Sequence, residues 1–181
     1  MQERLDALVV GAGPTGLTMA CELLRRGLRV RVIDAAAGPS RHSKALVIQV
    51  RTQEVFEQMG IVAEILAAAH PMLRMNVMGR ERPLVTVAIN HLPGRFPAPV
   101  VLEQSNTEAV LEARFTELGG HVERATRLVA YREDGDGVTA TLSSDAGETS
   151  ASCCLDCPCD PPLVCRFTRE GTSKCISKLK L

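Results

Sequence analysis

The chain has no excess charge of either sign: of its 181 residues, 21 are Lys or Arg and 21 are Asp or Glu. That balance removes the electrostatic case for nucleic acid or an anionic membrane as a partner. No apolar run approaches the ~20 residues that cross a bilayer. The opening MQERLD lacks the basic and apolar regions of a secretory signal, so the expected location is the cytoplasm. There is no phosphate loop ending in Gly-Lys-Ser/Thr, no Ser/His/Asp arrangement and no pair of carboxylates at catalytic spacing. His42, His70, His91 and His121 fall in no catalytic pattern. The sequence therefore offers no catalytic residue and no assigned metal ligand, and it does not give the oligomeric state.

Two further scarcities are local. Cys21 is the only cysteine before residue 151, whereas Cys153, Cys154, Cys157, Cys159, Cys165 and Cys175 crowd the remainder. Lys44 is the only lysine before residue 151, against 15 arginines; after it there are three lysines and two arginines. Two independent changes of composition at one place divide the chain into a domain of residues 1–150 and a Cys-rich tail of residues 151–181. The abruptness favours a shifted reading frame or truncated gene as the tail's origin. Cys154, Cys157, Cys165 and Cys175 could alternatively supply four zinc ligands, but at a spacing that matches no familiar finger. A disordered or redox-labile end is the third reading.

The first 34 residues are the most informative. Ala7-Leu8-Val9-Val10 is a continuous apolar run, as suits a strand buried on both faces of a parallel sheet. From Pro14 to the region of Gly27, Leu17, Ala20, Cys21, Leu24 and Leu28 recur at helical spacing. Pro14 fits the first turn, and Arg25, Arg26 and Gly27 fit the end. Val30 to Asp34 reads as a second strand. Strand, helix and strand make a right-handed βαβ unit.

Between the first strand and the helix stands Gly11-Ala12-Gly13-Pro14-Thr15-Gly16. Gly11 permits the tight turn, Gly13 lets the backbone approach a pyrophosphate, and Gly16 allows close packing of helix on sheet. The helix N-terminus offers unpaired N–H groups to phosphates. Asp34, at the end of the second strand, can accept hydrogen bonds from an adenosine ribose and disfavours a 2′-phosphate. Together these point to a dinucleotide site of the Rossmann type.

Further along, residues 35–50 read as a loop containing Arg41, His42 and Lys44. Residues 51–59 and 61–69 read as helices, and 72–79 and 84–89 as strands. Ser105-Asn106-Thr107-Glu108 reads as a capping box opening an amphipathic helix that ends at Gly119-Gly120. Residues 121–123 return to the parallel sheet. Residues 126–132 and 137–143, with the turn at 145–147, suggest a three-stranded meander.

With these pieces in order, the sequence resembles the FAD-dependent aromatic-ring hydroxylases, the p-hydroxybenzoate and phenol hydroxylase type of flavoprotein monooxygenase. The matching stretches are Asp6 to Leu17, Val32-Ile33-Asp34, Ser43-Lys44-Ala45-Leu46 with Arg51-Thr52-Gln53-Glu54-Val55, and Leu102-Glu103-Gln104 running into Glu108 and Leu111. The resemblance covers about residues 5–150. It implies an α/β fold: a Rossmann-type FAD/NAD(P)-binding domain with a parallel sheet and a meander, here incomplete. It implies FAD as cofactor, NAD(P)H as co-substrate, and transfer of one oxygen atom to a phenolic or polyketide-like ring.

By the same resemblance, Gly11, Gly13 and Gly16, with the backbone of Pro14 and Thr15, cradle the FAD pyrophosphate. Asp34 binds the ribose, Lys44 stands where the family usually has an arginine beside the flavin, and Gln104 hydrogen-bonds the cofactor. Lysine keeps the charge but lacks the bidentate fork of arginine. Beyond the meander the family continues with Gly-Cys-Asp-Gly and later Gly-Asp segments, where this chain reads Ala151 to Pro162 without those glycines. The chain alone is therefore expected to be inactive. A parallel sheet stopped there should have a bare edge unless the tail or a partner covers it. The alternatives are a non-catalytic adenine-dinucleotide-binding module and an NAD-dependent dehydrogenase.

Overall fold

A computed structural model of the chain describes residues 5–39, 47–80, 82–89, 93–134, 137–154, 163–167 and 173–175. Its contacts divide the chain into two compact units, residues 1–40 with 111–181, and residues 41–110.

In chain order, strand β1 (Ala7–Val10), helix α1 (Pro14–Arg25) and strand β2 (Val30–Ile33) form the expected βαβ unit. The second unit holds β3 (Val47–Ile48), α2 (Val50–Met59), α3 (Val62–Ala68), β4 (His70–Pro71), β5 (Arg74–Met78), β6 (Pro83–Ala88) and β7 (Val100–Val101). Helix α4 (Gln104–Glu117) carries the sequence back to the first unit. There β8 (Val122–Glu123) is followed by β9 (Arg127–Asp134), β10 (Gly137–Ser144), β11 (Gly147–Cys154), β12 (Leu163–Phe167) and β13 (Ser173–Cys175).

The first unit is built on a five-stranded sheet of order β13-β12-β1-β2-β8. All neighbours are parallel except β12 and β13. β1 is interior: Ala7 to Val10 face Val30 to Ile33 on one side and Leu163 to Arg166 on the other. Ala7, Leu8 and Val9 are wholly buried, which explains a strand with no polar alternation. Leu8 and Ile33 pack against Val138, Ala140, Leu142, Ala151 and Cys153 of the antiparallel meander β9-β10-β11. On the α1 side, Leu17, Ala20 and Cys21 are fully buried. Burying one such large apolar side chain stabilises by about 1.5–3 kcal/mol.

Polar clips fix the strand ends. The buried Asp6 carboxylate accepts from the Arg29 backbone N–H at 2.7 Å and from its guanidinium at 2.7 and 3.0 Å, joining the entrances of β1 and β2. Arg31 donates to both oxygens of Glu123, at 2.6 and 2.8 Å, a bidentate pair joining β2 to β8. β11 continues past residue 150 to Cys154, and β12 takes the flank of β1 that would otherwise be an edge.

In the second unit, β7 lies between β3 and β4. Gln53, buried on α2, donates to the carbonyls of Ile48 and Ala98 at 3.2 and 3.0 Å and so ties helix to loop. Gly60 ends α2 with φ +78, a left-handed cap suited to glycine. β5 and β6 form a separate two-stranded ribbon. In its register Met75 faces Val87 and Val77 faces Val85. All four side chains are exposed.

Two details differ from the expectations. α4 begins at Gln104, and Glu103 O accepts the N–H groups of Asn106 and Thr107. Ser105 therefore sits inside the first turn and is not its cap; Gln104 Nε2 donates to Glu108 Oε1 at 2.7 Å instead. The stretch assigned to a loop at residues 35–50 contains β3, too short to show a period of two.

Candidate dinucleotide-binding site

The chain leaves β1 through Gly11, whose φ of +109 lies where side chains are disfavoured. Its N–H donates to Ile33 O at 2.8 Å, binding the turn to the end of β2. Gly13 is the N-cap of α1, with φ −81 and ψ −179, and its carbonyl accepts the Leu17 N–H at 2.9 Å. No side chain caps this helix, and its first turn holds no acid. The N–H groups of that turn have no acceptor within the helix. Together with the positive end of the helix dipole they suit an anion. Gly16 is required by contact: a Cβ there would lie 1.9 Å from Gly11 O and 3.4 Å from Val9 Cγ1.

Asp34 stands one residue past β2, largely buried. Its Oδ2 accepts the Ala12 N–H at 2.7 Å and its Oδ1 accepts the Ala36 N–H at 2.7 Å. The carboxylate thus fixes the glycine turn from across the sheet. The structure brings Gly11, Gly13, Pro14, Thr15, Gly16 and Asp34 to one end of β1 and β2. Gln104 lies in the second unit, and Lys44, with Arg41 and His42, lies outside the described residues. A tight glycine turn, an uncapped helix N-terminus and a carboxylate at the neighbouring strand end fit the pyrophosphate and ribose of a dinucleotide.

Two residues at this end escape a sequence reading. Arg124, just past β8, places its Nη2 2.6 Å from Glu112 Oε2 on α4 and its Nη1 3.9 Å from Asp34 Oδ2. The signal available is topological: β8 is the parallel neighbour of β2, so a residue leaving β8 arrives beside one leaving β2.

Residues 4–158 match the family model described as an FAD binding domain. The chain belongs to that family. A 6-methylpretetramide 4-monooxygenase of Streptomyces rimosus is 41% identical over 142 residues, covering 77% of this chain and 26% of that protein. Among solved structures, the OxyS anhydrotetracycline hydroxylase of Streptomyces rimosus superposes with a TM-score of 0.75 at 33% identity, over 84% of this chain and 30% of that one. An aklavinone-11 hydroxylase solved with FAD and aklavinone gives a TM-score of 0.74 at 28% identity, over 84% of this chain and 32% of that one. The chain spans about a quarter to a third of the length of these relatives.

The fold is the α/β FAD-binding type that the motifs imply, covering only part of the relatives' length. No described helix is long and apolar enough to cross a membrane. Among the described residues no three His, Cys, Asp or Glu side chains gather as a metal site; Cys157 and Cys159, and the side chains of Cys154, Cys165 and Cys175, lie outside them.

Cys21 is buried on α1, its thiol donating to Leu111 O at 3.7 Å. Burial pushes that thiol up from 9.0 to about 11. It is a packed core group, held protonated at neutral pH and unsuited to nucleophilic work.

Proposed function

We propose that this chain is the FAD-binding portion of an NAD(P)H- and FAD-dependent monooxygenase acting in the cytoplasm on an aromatic substrate, phenolic or polyketide-like. The observation that carries the reading is the joined geometry of the glycine turn and Asp34, in a chain of the FAD-binding family. Gly11, Gly13 and Gly16, with the backbone of Pro14 and Thr15, hold the pyrophosphate. Asp34 accepts the ribose hydroxyls, and Lys44 and Gln104 contact the cofactor elsewhere. FAD, when bound, supplies the redox and oxygen chemistry; the protein positions it and shapes its surroundings. The change of composition supports placing the cofactor-binding domain at residues 1–150 and a Cys-rich tail at 151–181, although the family match extends to residue 158 and the backbone of β11 runs through that division.

The glycine turn and Asp34 suit the ADP half of a dinucleotide by themselves, which favours a second reading, a non-catalytic adenine-dinucleotide-binding module. The chain saturated with FAD and then desalted should keep flavin absorbance near ~370 and ~450 nm, and a Gly13→Val variant should lose it. A colourless wild-type protein overturns the proposal. Retained FAD that NAD(P)H does not reduce supports the module. Tighter binding of NAD than of FAD points to a dehydrogenase.

A further inference from the structure

The turn leaving β8 is held in a costly conformation. Ala125 has φ +52, and among the described residues it alone has positive φ without being glycine. Such a backbone is costly and persists only where its surroundings enforce it. The Thr126 hydroxyl donates within the turn to Arg124 O at 3.1 Å, and the backbone contacts go to the exit of β2. Ala125 N–H donates to Ala36 O at 3.0 Å, and Thr126 N–H donates to Asp34 O at 2.9 Å. The strained turn delivers Arg124, whose side chain is 19% exposed, between two carboxylates. Glu112 takes one arm of the guanidinium at 2.6 Å; the other stops 3.9 Å from Asp34 Oδ2, beyond hydrogen-bond reach.

We infer that Arg124 is a positioning residue for Asp34: Glu112 anchors its guanidinium at a distance that steadies the carboxylate by charge while leaving Asp34's remaining lone pairs to a ribose hydroxyl. The inference rests on the reading of Asp34 as the ribose acceptor. Each Asp34 oxygen already takes one backbone N–H, so a direct Arg124 bond would compete with the sugar. Removing Arg124 leaves the two carboxylates without the intervening cation, and their repulsion loosens Asp34 in its ribose-accepting position although its two backbone bonds remain. The effect is confined to ligands that engage Asp34.

The test is titration calorimetry of the full chain with 5′-ADP and with 2′-deoxy-5′-ADP. Wild type should prefer ADP by roughly tenfold, the value of a hydrogen bond to a charged acceptor. Arg124→Met should bring that preference to about threefold or less while leaving the affinity for 2′-deoxy-ADP unchanged, and Arg124→Lys should restore most of it. Glu112→Gln, which keeps Arg124 but loosens its anchor at a more exposed position, should shift the ratio in the same direction. A ratio unmoved in both Arg124→Met and Glu112→Gln overturns the inference, as does an equal loss for both ligands, which is a structural effect alone. Asp34→Ala separates the two layers. If it abolishes the wild-type preference while Arg124→Met does not, the positioning role fails; if it leaves the preference intact, the ribose reading of Asp34 fails.

Discussion

β1 and the β5–β6 ribbon are made from similar apolar residues and have opposite fates. Val9 is completely buried, whereas Val77, Val85 and Val87 are 39–52% exposed. β1 has a strand on each side, α1 over one face and the meander under the other. Among the described residues the ribbon's strands pair only with each other. Apolar content therefore makes a strand in both places, but only the layered surroundings of β1 turn it into a rigid support for a site.

The sharpest way to break the contrast is at the point of closest packing. Gly16→Ala should destabilise the first unit by about 3 kcal/mol or more, because its Cβ meets the backbone at Gly11. Chemical denaturation should show this together with loss of adenine-nucleotide binding. Asp34→Ala leaves the Ala12 and Ala36 N–H groups without their acceptor and should cost about 1–3 kcal/mol, read in the same experiment.

A third probe is pH. The Cys21 thiol ionises in the unfolded chain near 9.0 but in the folded protein only near 11, so the unfolded state loses its proton first. The stability linked to Cys21 is complete below pH 9 and declines as pH rises toward 11. Cys21→Ala should flatten that part of a melting-temperature profile. The smallest effects belong to the ribbon: Val77→Thr and Val85→Thr, both exposed, should move the melting temperature by no more than about 0.5 kcal/mol allows, while reducing self-association in light scattering. A large destabilisation there would mean the ribbon is as well supported as β1.

The same contrast explains what could be read from sequence. The turn from Gly11 to Gly16 and the segments around it were legible because they rest on neighbours in sequence: an apolar run, a proline in the first helical turn and spaced glycines. The meander was legible through its turns. Gln53 was not, because a buried glutamine looks like any helix-surface residue until the Ile48 and Ala98 carbonyls close on it. Arg124 and Glu112 were not, since their pairing depends on a strained turn at Ala125. The start of α4 is not legible, because Ser105 and Glu108 fit a capping box, whereas the helix starts earlier and Gln104 pairs with Glu108.

The place of β12 beside β1 also bears on how the chain is made. β2 is available to β1 almost as soon as it is synthesised, but Ala7 must wait about 150 residues for its other neighbour, Leu163. Until that segment emerges from the ribosome, the strand leading into the glycine turn presents an unpaired flank to every other nascent strand nearby. Slow translation through the middle of the message would lengthen that exposure, and a chaperone that shields open strand edges would shorten it.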